Sequence, residues 1–123
     1  MSMSNIAIVG AGQGGTAIVK SIQGIPSIKI MGVCDVNPNA PGMILARNLG
    51  ITTYTDVQKM VSNPALDLVI EATGSPKVQE LITKYKGENV SVIESHGANL
   101  MMTIVEARED MIAGLHREAA KLA

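Results

Sequence analysis

The chain has 123 residues, enough for one domain with its own core, and its 46% apolar and 17% charged residues exclude intrinsic disorder. A net charge of −1, with two tyrosines and no Phe or Trp, excludes the basic, aromatic-rich surface that binds nucleic acid. No apolar run in the sequence approaches the ~18 residues that a membrane span needs, so we expect no membrane insertion.

The single cysteine, Cys34, cannot form an internal disulfide. This is typical of a reducing compartment, so we expect a cytoplasmic protein. Cys34 lies within an apolar run, which favours a buried small side chain over a nucleophile. The His, Cys and carboxylate residues have no metal-ligand spacing, so no metal site is predicted.

The first predicted strand, about Asn5–Gly10, runs through glycines into a predicted helix, about Gly14–Gln23. The glycines have the spacing G-x-G-x-x-G between a strand and a helix, which is typical of dinucleotide binding. Gly10 permits the tight turn, Gly12 lets the backbone approach a pyrophosphate, and Gly15 lets the helix pack closely on the strand. This stretch is the strongest functional signal in the chain.

The start of that helix, with Gln13 and Gly14, offers free N–H groups and a favourable dipole to the pyrophosphate. Twenty residues after Gly15, Asp35 ends a second apolar run, at the position of a carboxylate that binds the ribose 2′-OH. A carboxylate there repels the 2′-phosphate of NADP, so the predicted cofactor is NAD(H). Asn37 follows, and we expect it in a turn close to the adenosine side of the ligand.

The alternation of strands and helices continues through the rest of the chain. The remaining predicted elements are strand 2 at Lys29–Val36, helix B at Pro41–Leu49, strand 3 at Ile51–Tyr54, helix C ending before Asn63, strand 4 at Leu66–Ala72, helix D to about Tyr85, strand 5 at Val90–Glu94 and a last helix from near Ala98. The spacing of Thr55 and Gln58 predicts a capping box for helix C. Such alternation predicts an α/β fold, a doubly wound Rossmann-type parallel sheet of order 3-2-1-4-5 with a long C-terminal helix.

Several stretches resemble the cofactor domain of glucose–fructose oxidoreductase and inositol dehydrogenase-like enzymes: residues 6–15 (IAIVGAGQGG), 32–38 (GVCDVNP), 46–51 (ARNLGI) and 66–76 (LDLVIEATGSP). They also resemble the NAD domains of acylating acetaldehyde, aspartate and homoserine dehydrogenases, and the N-terminal Rossmann domains of bacterial sensor proteins. The resemblance covers about residues 5–97. It specifies a dinucleotide-binding fold well and a particular enzyme poorly.

The resemblance implies that Thr73, Gly74 and Ser75, after strand 4, contact the ribose and nicotinamide region. Ser75 is also suited to cap a helix whose next residue is proline. Where the glucose–fructose oxidoreductase pattern has Glu-Lys-Pro with a functional lysine, this chain has Glu94 followed by Ser and His96. His96 is a weak candidate for an acid or base, and a polar residue at a helix entry is the favoured interpretation.

The last helix has apolar residues at spacings of three and four: Met101, Val105, Ile112, Leu115, Ala119 and Leu122, interrupted by Arg108. We expect residues 1–97 to form the dinucleotide-binding domain and residues 98–123 a helix that extends beyond the sheet. That apolar seam favours a coiled-coil contact, either a homodimer or a connector to a further domain. The alternative is that the helix folds back on its own domain.

The favoured function is an NAD(H)-binding domain without a complete active site, as the cofactor or sensory module of a longer protein. The alternative is a fragment or subunit of an NAD-dependent oxidoreductase that a separate substrate domain completes. Whether the chain is an enzyme stays open at this point. A third possibility, coenzyme A or another adenosine ligand, makes less use of Asp35.

Overall fold

Five parallel strands alternate with five helices in the computed structural model, which describes residues 3–122 apart from the side chain of Leu122. The elements are β1 Ser4–Val9, α1 Gln13–Ile22, β2 Ile28–Cys34, α2 Pro41–Asn48, β3 Thr53–Tyr54, α3 Val57–Val61, β4 Leu68–Glu71, α4 Pro76–Tyr85, β5 Ser91–Ile93 and α5 Ser95–Leu122. The predicted α/β class and the sheet order β3-β2-β1-β4-β5 are confirmed.

The central strand β1 pairs in parallel with β2 on one side and β4 on the other. Its side chains alternate between two apolar cores, because successive residues of a strand point to opposite faces. Ile6 and Ile8 pack on the side of α1, α2 and α5, whereas Ala7 and Val9 pack on the side of α3 and α4. The carboxyl ends of β1, β2 and β4 therefore meet at one edge of a sheet covered on both faces.

Some element boundaries differ from the prediction. The side chain that caps α3 is Asp56 rather than Thr55, and its Oδ1 accepts a hydrogen bond of 2.9 Å from the N–H of Gln58. The strand β2 ends at Cys34 instead of Val36, because the Asp35 carboxylate turns the chain by accepting from the N–H of Asn37. The helix α5 begins at Ser95, three residues before the predicted start.

The 28 residues of α5 span about 42 Å at ~1.5 Å per residue. Near its start, Ala98 is buried and Met101 and Met102 pack against the core on the side of α1. The predicted seam is therefore divided: Met101 faces the domain, while Ile112 and Leu115 are exposed. The side chain of Leu122, also assigned to that seam, lies outside the described residues.

A different row of apolar side chains on α5 faces solvent. Leu100, Ile104, Met111 and Leu115 are each more than half exposed. Their spacing of four, seven and four residues returns to the same face of a helix. We call these four residues the outer stripe. Within residues 3–122, no helix combines the length and the apolar character that crossing a membrane requires.

Candidate functional site

The stretch from the end of β1 into the first turn of α1, residues 10–15, is called the glycine loop. Gly10 has a φ of +103°, a conformation that side-chain-bearing residues rarely adopt, and an added Cβ would lie 3.0 Å from Cγ2 of Thr73. A Cβ at Gly15 would overlap the carbonyl oxygen of Gly10. Both positions therefore require glycine for the turn and for the close packing of α1 on β1.

Gly12 differs from these two glycines because an added Cβ there would meet nothing within 4 Å. It is the N-cap of α1, and among the described residues no side chain caps this helix. The next two residues, Gln13 and Gly14, are exposed. Since the first N–H groups of a helix have no partner within it, the start of α1 can bind an anion.

The carboxylate of Asp35 joins the end of β2 to the glycine loop. Its Oδ2 accepts a 2.9 Å hydrogen bond from the N–H of Ala11, and its Oδ1 accepts one of 2.9 Å from the N–H of Asn37. Asp35 is half-buried, and each carboxylate oxygen can accept a further hydrogen bond. The side chain of Asn37 shapes the following turn by accepting from the N–H of Asn39 at 2.9 Å.

The helix α2 supports the glycine loop from the other side, which sequence reasoning missed. The N–H of Gly42 donates to the carbonyl of Ala11 at 2.8 Å. A Cβ on Gly42 would lie 2.9 Å from Cβ of Ala11. The sequence pattern Pro-Gly after a turn predicts only the start of a helix. It does not predict the contact between Gly42 and Ala11, because that contact depends on the packing of α2 against α1.

Residues Thr73–Ser75 follow β4 and are called the β4 loop. The Oγ of Ser75 accepts from the N–H of Val78 at 3.4 Å, so the predicted cap of α4 is present. Gly74 has a φ of +67°, and Thr73 places its hydroxyl 2.7 Å from Oε2 of Glu71. The loop lies at the same edge of the sheet as Gly10, whose added Cβ would meet Thr73.

Glu71, the last residue of β4, is the one fully buried charged residue in the described part of the chain. Burial raises its pKa, but hydrogen bonds from the Thr73 hydroxyl, the Gln79 amide and the N–H groups of Gly74 and Thr73 outweigh burial and hold the pKa below its usual value. Sequence reasoning treated Glu71 as an ordinary strand residue. The signal that could have found it is a carboxylate inside an apolar strand, directly before a Thr-Gly-Ser turn.

A cleft of about 240 Å³ opens beside the glycine loop at the carboxyl ends of β1, β2 and β4. Its lining is mostly apolar and consists of Val9, Gly10, Cys34, Asp35, Val36, Val57, Thr73 and Val78. Burial, followed by the charges of Asp35 and Asp56, raises the pKa of the Cys34 thiol to about 12. Cys34 therefore lines this cleft as a protonated thiol at neutral pH.

His96 is exposed and is the second residue of α5, not part of the cleft lining. Its neighbour Ser95 lies near the β4 loop, since a Cβ on Gly74 would be 3.8 Å from the Ser95 hydroxyl. Over the described residues, His, Cys, Asp and Glu nowhere gather in threes that could hold a metal ion.

The chain matches the model of the oxidoreductase family with an NAD-binding Rossmann fold over residues 4–112. This range covers all five strands and most of α5. No curated protein sequence resembles the chain closely enough to count as a match.

Three solved structures with the same fold are distant from this chain in sequence. GenD2 from gentamicin A biosynthesis, in complex with NAD, has 21% identity and a TM-score of 0.62 over 75% of this chain and 27% of its own. Scyllo-inositol dehydrogenase from Lactobacillus casei, with bound NAD(H) and scyllo-inositol, has 21% identity and a TM-score of 0.61 over 76% and 28%. A protein from Bacteroides fragilis named as an NADP oxidoreductase has 20% identity and a TM-score of 0.64 over 75% and 35%. The matched region is about a third or less of each of these proteins.

Proposed function

The chain belongs to the oxidoreductase family with an NAD-binding Rossmann fold, and we propose that its glycine loop, Asp35 and the β4 loop together hold NAD(H). The chain matches only 27–35% of the length of the solved proteins above. The enzymatic activities of those longer proteins are therefore not assigned to this chain by the match. The observation that carries the proposal is the open space at Gly12 beside the uncapped start of α1.

The pyrophosphate is assigned to the first turn of α1. The N–H groups of Gln13 and Gly14 bind it, and the missing side chain of Gly12 lets the backbone approach. Gly10 and Gly15 act indirectly, since they allow the turn and the helix packing that aim these N–H groups. The free space around Gly12, where an added Cβ would meet nothing within 4 Å, supports this assignment.

The adenosine half is assigned to the apolar cleft. Asp35 keeps acceptor capacity on both oxygens after binding the N–H groups of Ala11 and Asn37, so it can accept from ribose hydroxyls. Val36, Val57 and Val78 offer apolar surface to an adenine ring. A negative charge at Asp35 disfavours a 2′-phosphate, which supports NAD(H) over NADP(H).

The β4 loop is assigned to the other ribose and the nicotinamide. Thr73 has its hydroxyl and N–H engaged by Glu71, so it offers backbone and methyl surface rather than a proton-transfer group. His96 lies outside the cleft lining, and we do not assign it a catalytic role. The isolated chain therefore acts as a cofactor module, and the alternative of an NAD-dependent oxidoreductase places the substrate residues outside these 123 residues. The protein is assigned to the cytoplasm, where the thiol of Cys34 stays reduced.

Isothermal titration calorimetry tests the cofactor assignment directly. NAD and NADH should bind, NADP should bind more weakly, and coenzyme A should bind least because the Asp35 carboxylate repels the 3′-phosphate on its ribose. Binding of coenzyme A in preference to NAD would contradict the assignment and favour a different adenosine ligand. If none of the four compounds gives a heat of binding at millimolar concentration, the proposal that this site binds a nucleotide is refuted.

The outer stripe supports a second proposal, a homodimer through α5. Burial of a large apolar side chain stabilises by roughly 1.5–3 kcal/mol, and Leu100, Ile104, Met111 and Leu115 are left exposed in the monomer. A two-fold axis would pair this stripe with its own copy and bury it on both chains. A connector helix leading to a further domain, as in sensor proteins, is the competing role for the same surface.

Light scattering separates these two roles. The dimer predicts twice the monomer mass for the wild type and the monomer mass for Met111→Glu, because the new charge would be buried at the contact. The matched control is Ala113→Glu, which adds the same charge to an exposed residue two positions further, on the other side of the helix. A wild type that is monomeric at high concentration would contradict the dimer and favour the connector.

A further inference from the structure

The carboxylate of Glu71 contacts three separate parts of the fold. Its Oε2 accepts from the N–H and the hydroxyl of Thr73 at 2.6 and 2.7 Å, and from the N–H of Gly74 at 2.6 Å. Its Oε1 accepts from the amide of Gln79 at 2.8 Å and from the N–H of Ser95 at 3.2 Å. A buried carboxylate is tolerated because five donors replace the water that it loses.

The two oxygens serve different elements. Oε2 binds only the β4 loop, whereas Oε1 binds α4 through Gln79 and the first residue of α5 through Ser95. The N–H of Ser95 is one of the first N–H groups of α5, which have no partner inside the helix. The helix dipole adds to the attraction between this helix start and the negative charge. A single rigid planar group thus links the β4 loop to α5.

We propose that Glu71 is a positioning residue that couples nucleotide binding at the β4 loop to the first turn of α5. The coupling rests on the proposed function, since it requires the ligand to touch Thr73–Gly74. A ligand that fixes these residues fixes the Glu71 carboxylate through three hydrogen bonds, and the carboxylate then holds the N–H of Ser95. The long helix that carries the outer stripe is therefore tied to the state of the cofactor site.

A glutamine at this position would break only one part of the link. The amide of Glu71→Gln has one acceptor oxygen and one NH₂ donor group. With its oxygen toward the three donors of the β4 loop, the NH₂ group faces Gln79, which can turn its own amide and accept. The N–H of Ser95 then faces another donor, so the connection to α5 is lost while the β4 loop is kept.

Ser95 allows a test that leaves Glu71 intact. It is the first residue of α5, a position where proline is well tolerated because its missing N–H has no helical partner. Ser95→Pro removes the N–H that donates to Glu71, and Ser95→Ala removes only the hydroxyl. The pair therefore isolates one hydrogen bond, with Ser95→Ala as the matched control.

Hydrogen exchange with and without saturating NAD, on the full chain, tests the coupling at the amide of Ala98, which donates to the carbonyl of Glu94 in the first turn of α5. NAD should slow this exchange about fivefold or more in the wild type and in Ser95→Ala. The slowing should disappear in Ser95→Pro and Glu71→Gln, although calorimetry still shows that both bind NAD.

Three results would overturn the coupling. Equal slowing in Ser95→Pro and Ser95→Ala would mean that the Glu71–Ser95 contact does not carry it. Unchanged exchange in a wild type that binds NAD by calorimetry would remove the coupling and leave the cofactor assignment standing. Failure of the wild type to bind NAD would overturn the proposed function and, with it, the coupling.

Discussion

Asp35 and Ala11 are joined by a 2.9 Å hydrogen bond from the Ala11 N–H to the Asp35 carboxylate. This contact fixes the end of β2 against the glycine loop, so that the carboxylate and the start of α1 keep a constant relative position. It also explains how a single acidic residue can both shape the site and face a ligand. Asp35 therefore contributes both to the shape of the site and to the choice of ligand.

Substitution Asp35→Asn should narrow the preference for NAD over NADP. A hydrogen bond to a charged group contributes roughly 1.5–3 kcal/mol, so NAD affinity should fall about tenfold or more. NADP affinity should fall less, because repulsion of the 2′-phosphate is also removed. Calorimetric titration with both nucleotides measures the change.

Asp67→Asn is the matched control for that substitution. Asp67 also accepts a backbone N–H, from Asn5 at 2.8 Å, but it precedes β4 and so lies at the opposite edge of the sheet from Asp35. Its substitution should leave both nucleotide affinities unchanged. Equal loss of NAD and NADP affinity in Asp35→Asn would mean that Asp35 does not discriminate between them.

Substitution Gly15→Ala should damage the fold rather than the binding surface. The new Cβ would overlap the carbonyl oxygen of Gly10, and backbone cannot give way as a flexible side chain can. Overpacking of this kind costs about 1–3 kcal/mol or more, which urea unfolding would detect. A variant with wild-type stability would show that α1 packs less closely on β1 than described.

Much of this architecture follows from the sequence because its signals are local. The glycine spacing, the alternation of apolar runs and Asp35 at the end of the second run suffice for the sheet order and for a nucleotide site. Ser75 followed by proline likewise predicts the cap of α4, which the structure has. Each of these signals can be recognised from residues that are close together in the sequence.

The features that could not be predicted depend on contacts distant in sequence. Glu71 links the β4 loop to α5 because the N–H of Ser95, 24 residues further along the chain, donates to its buried carboxylate. Gly42 matters because α2 packs against Ala11. On α5, apolar spacing alone did not show that Met101 faces the core while Leu100 faces solvent.

Stability at low pH should depend on Glu71. The folded protein holds its pKa below the usual 4.5, so its contribution to stability is present above about pH 4.5 and is lost as the pH falls through the lowered value. The difference in unfolding free energy between the wild type and Glu71→Gln should therefore shrink on acidification. Urea unfolding at several pH values measures it, with Glu94→Gln, an exposed carboxylate, as control. A difference that stays constant with pH would contradict the ionised state of Glu71.

Cys34 should react slowly with thiol reagents in the folded protein. Its pKa of about 12 leaves almost no thiolate at neutral pH, and the thiolate is the reactive form. Alkylation by iodoacetamide should accelerate strongly once urea unfolds the chain. A native rate as fast as the unfolded rate would show that Cys34 is neither buried nor protonated as described.

The most direct test of the cofactor site is calorimetric titration of NAD into Gly12→Ala. The added methyl group meets nothing in the protein, and Gly12 has a φ of −75° that alanine accepts, so the variant should fold normally. Gly114→Ala, in the middle of α5, is the matched control and should bind NAD as the wild type does. We expect Gly12→Ala to lose about tenfold or more in NAD affinity, or 1.4 kcal/mol, with its unfolding free energy unchanged or slightly raised. Wild-type NAD affinity in Gly12→Ala would contradict the placement of the pyrophosphate at the start of α1.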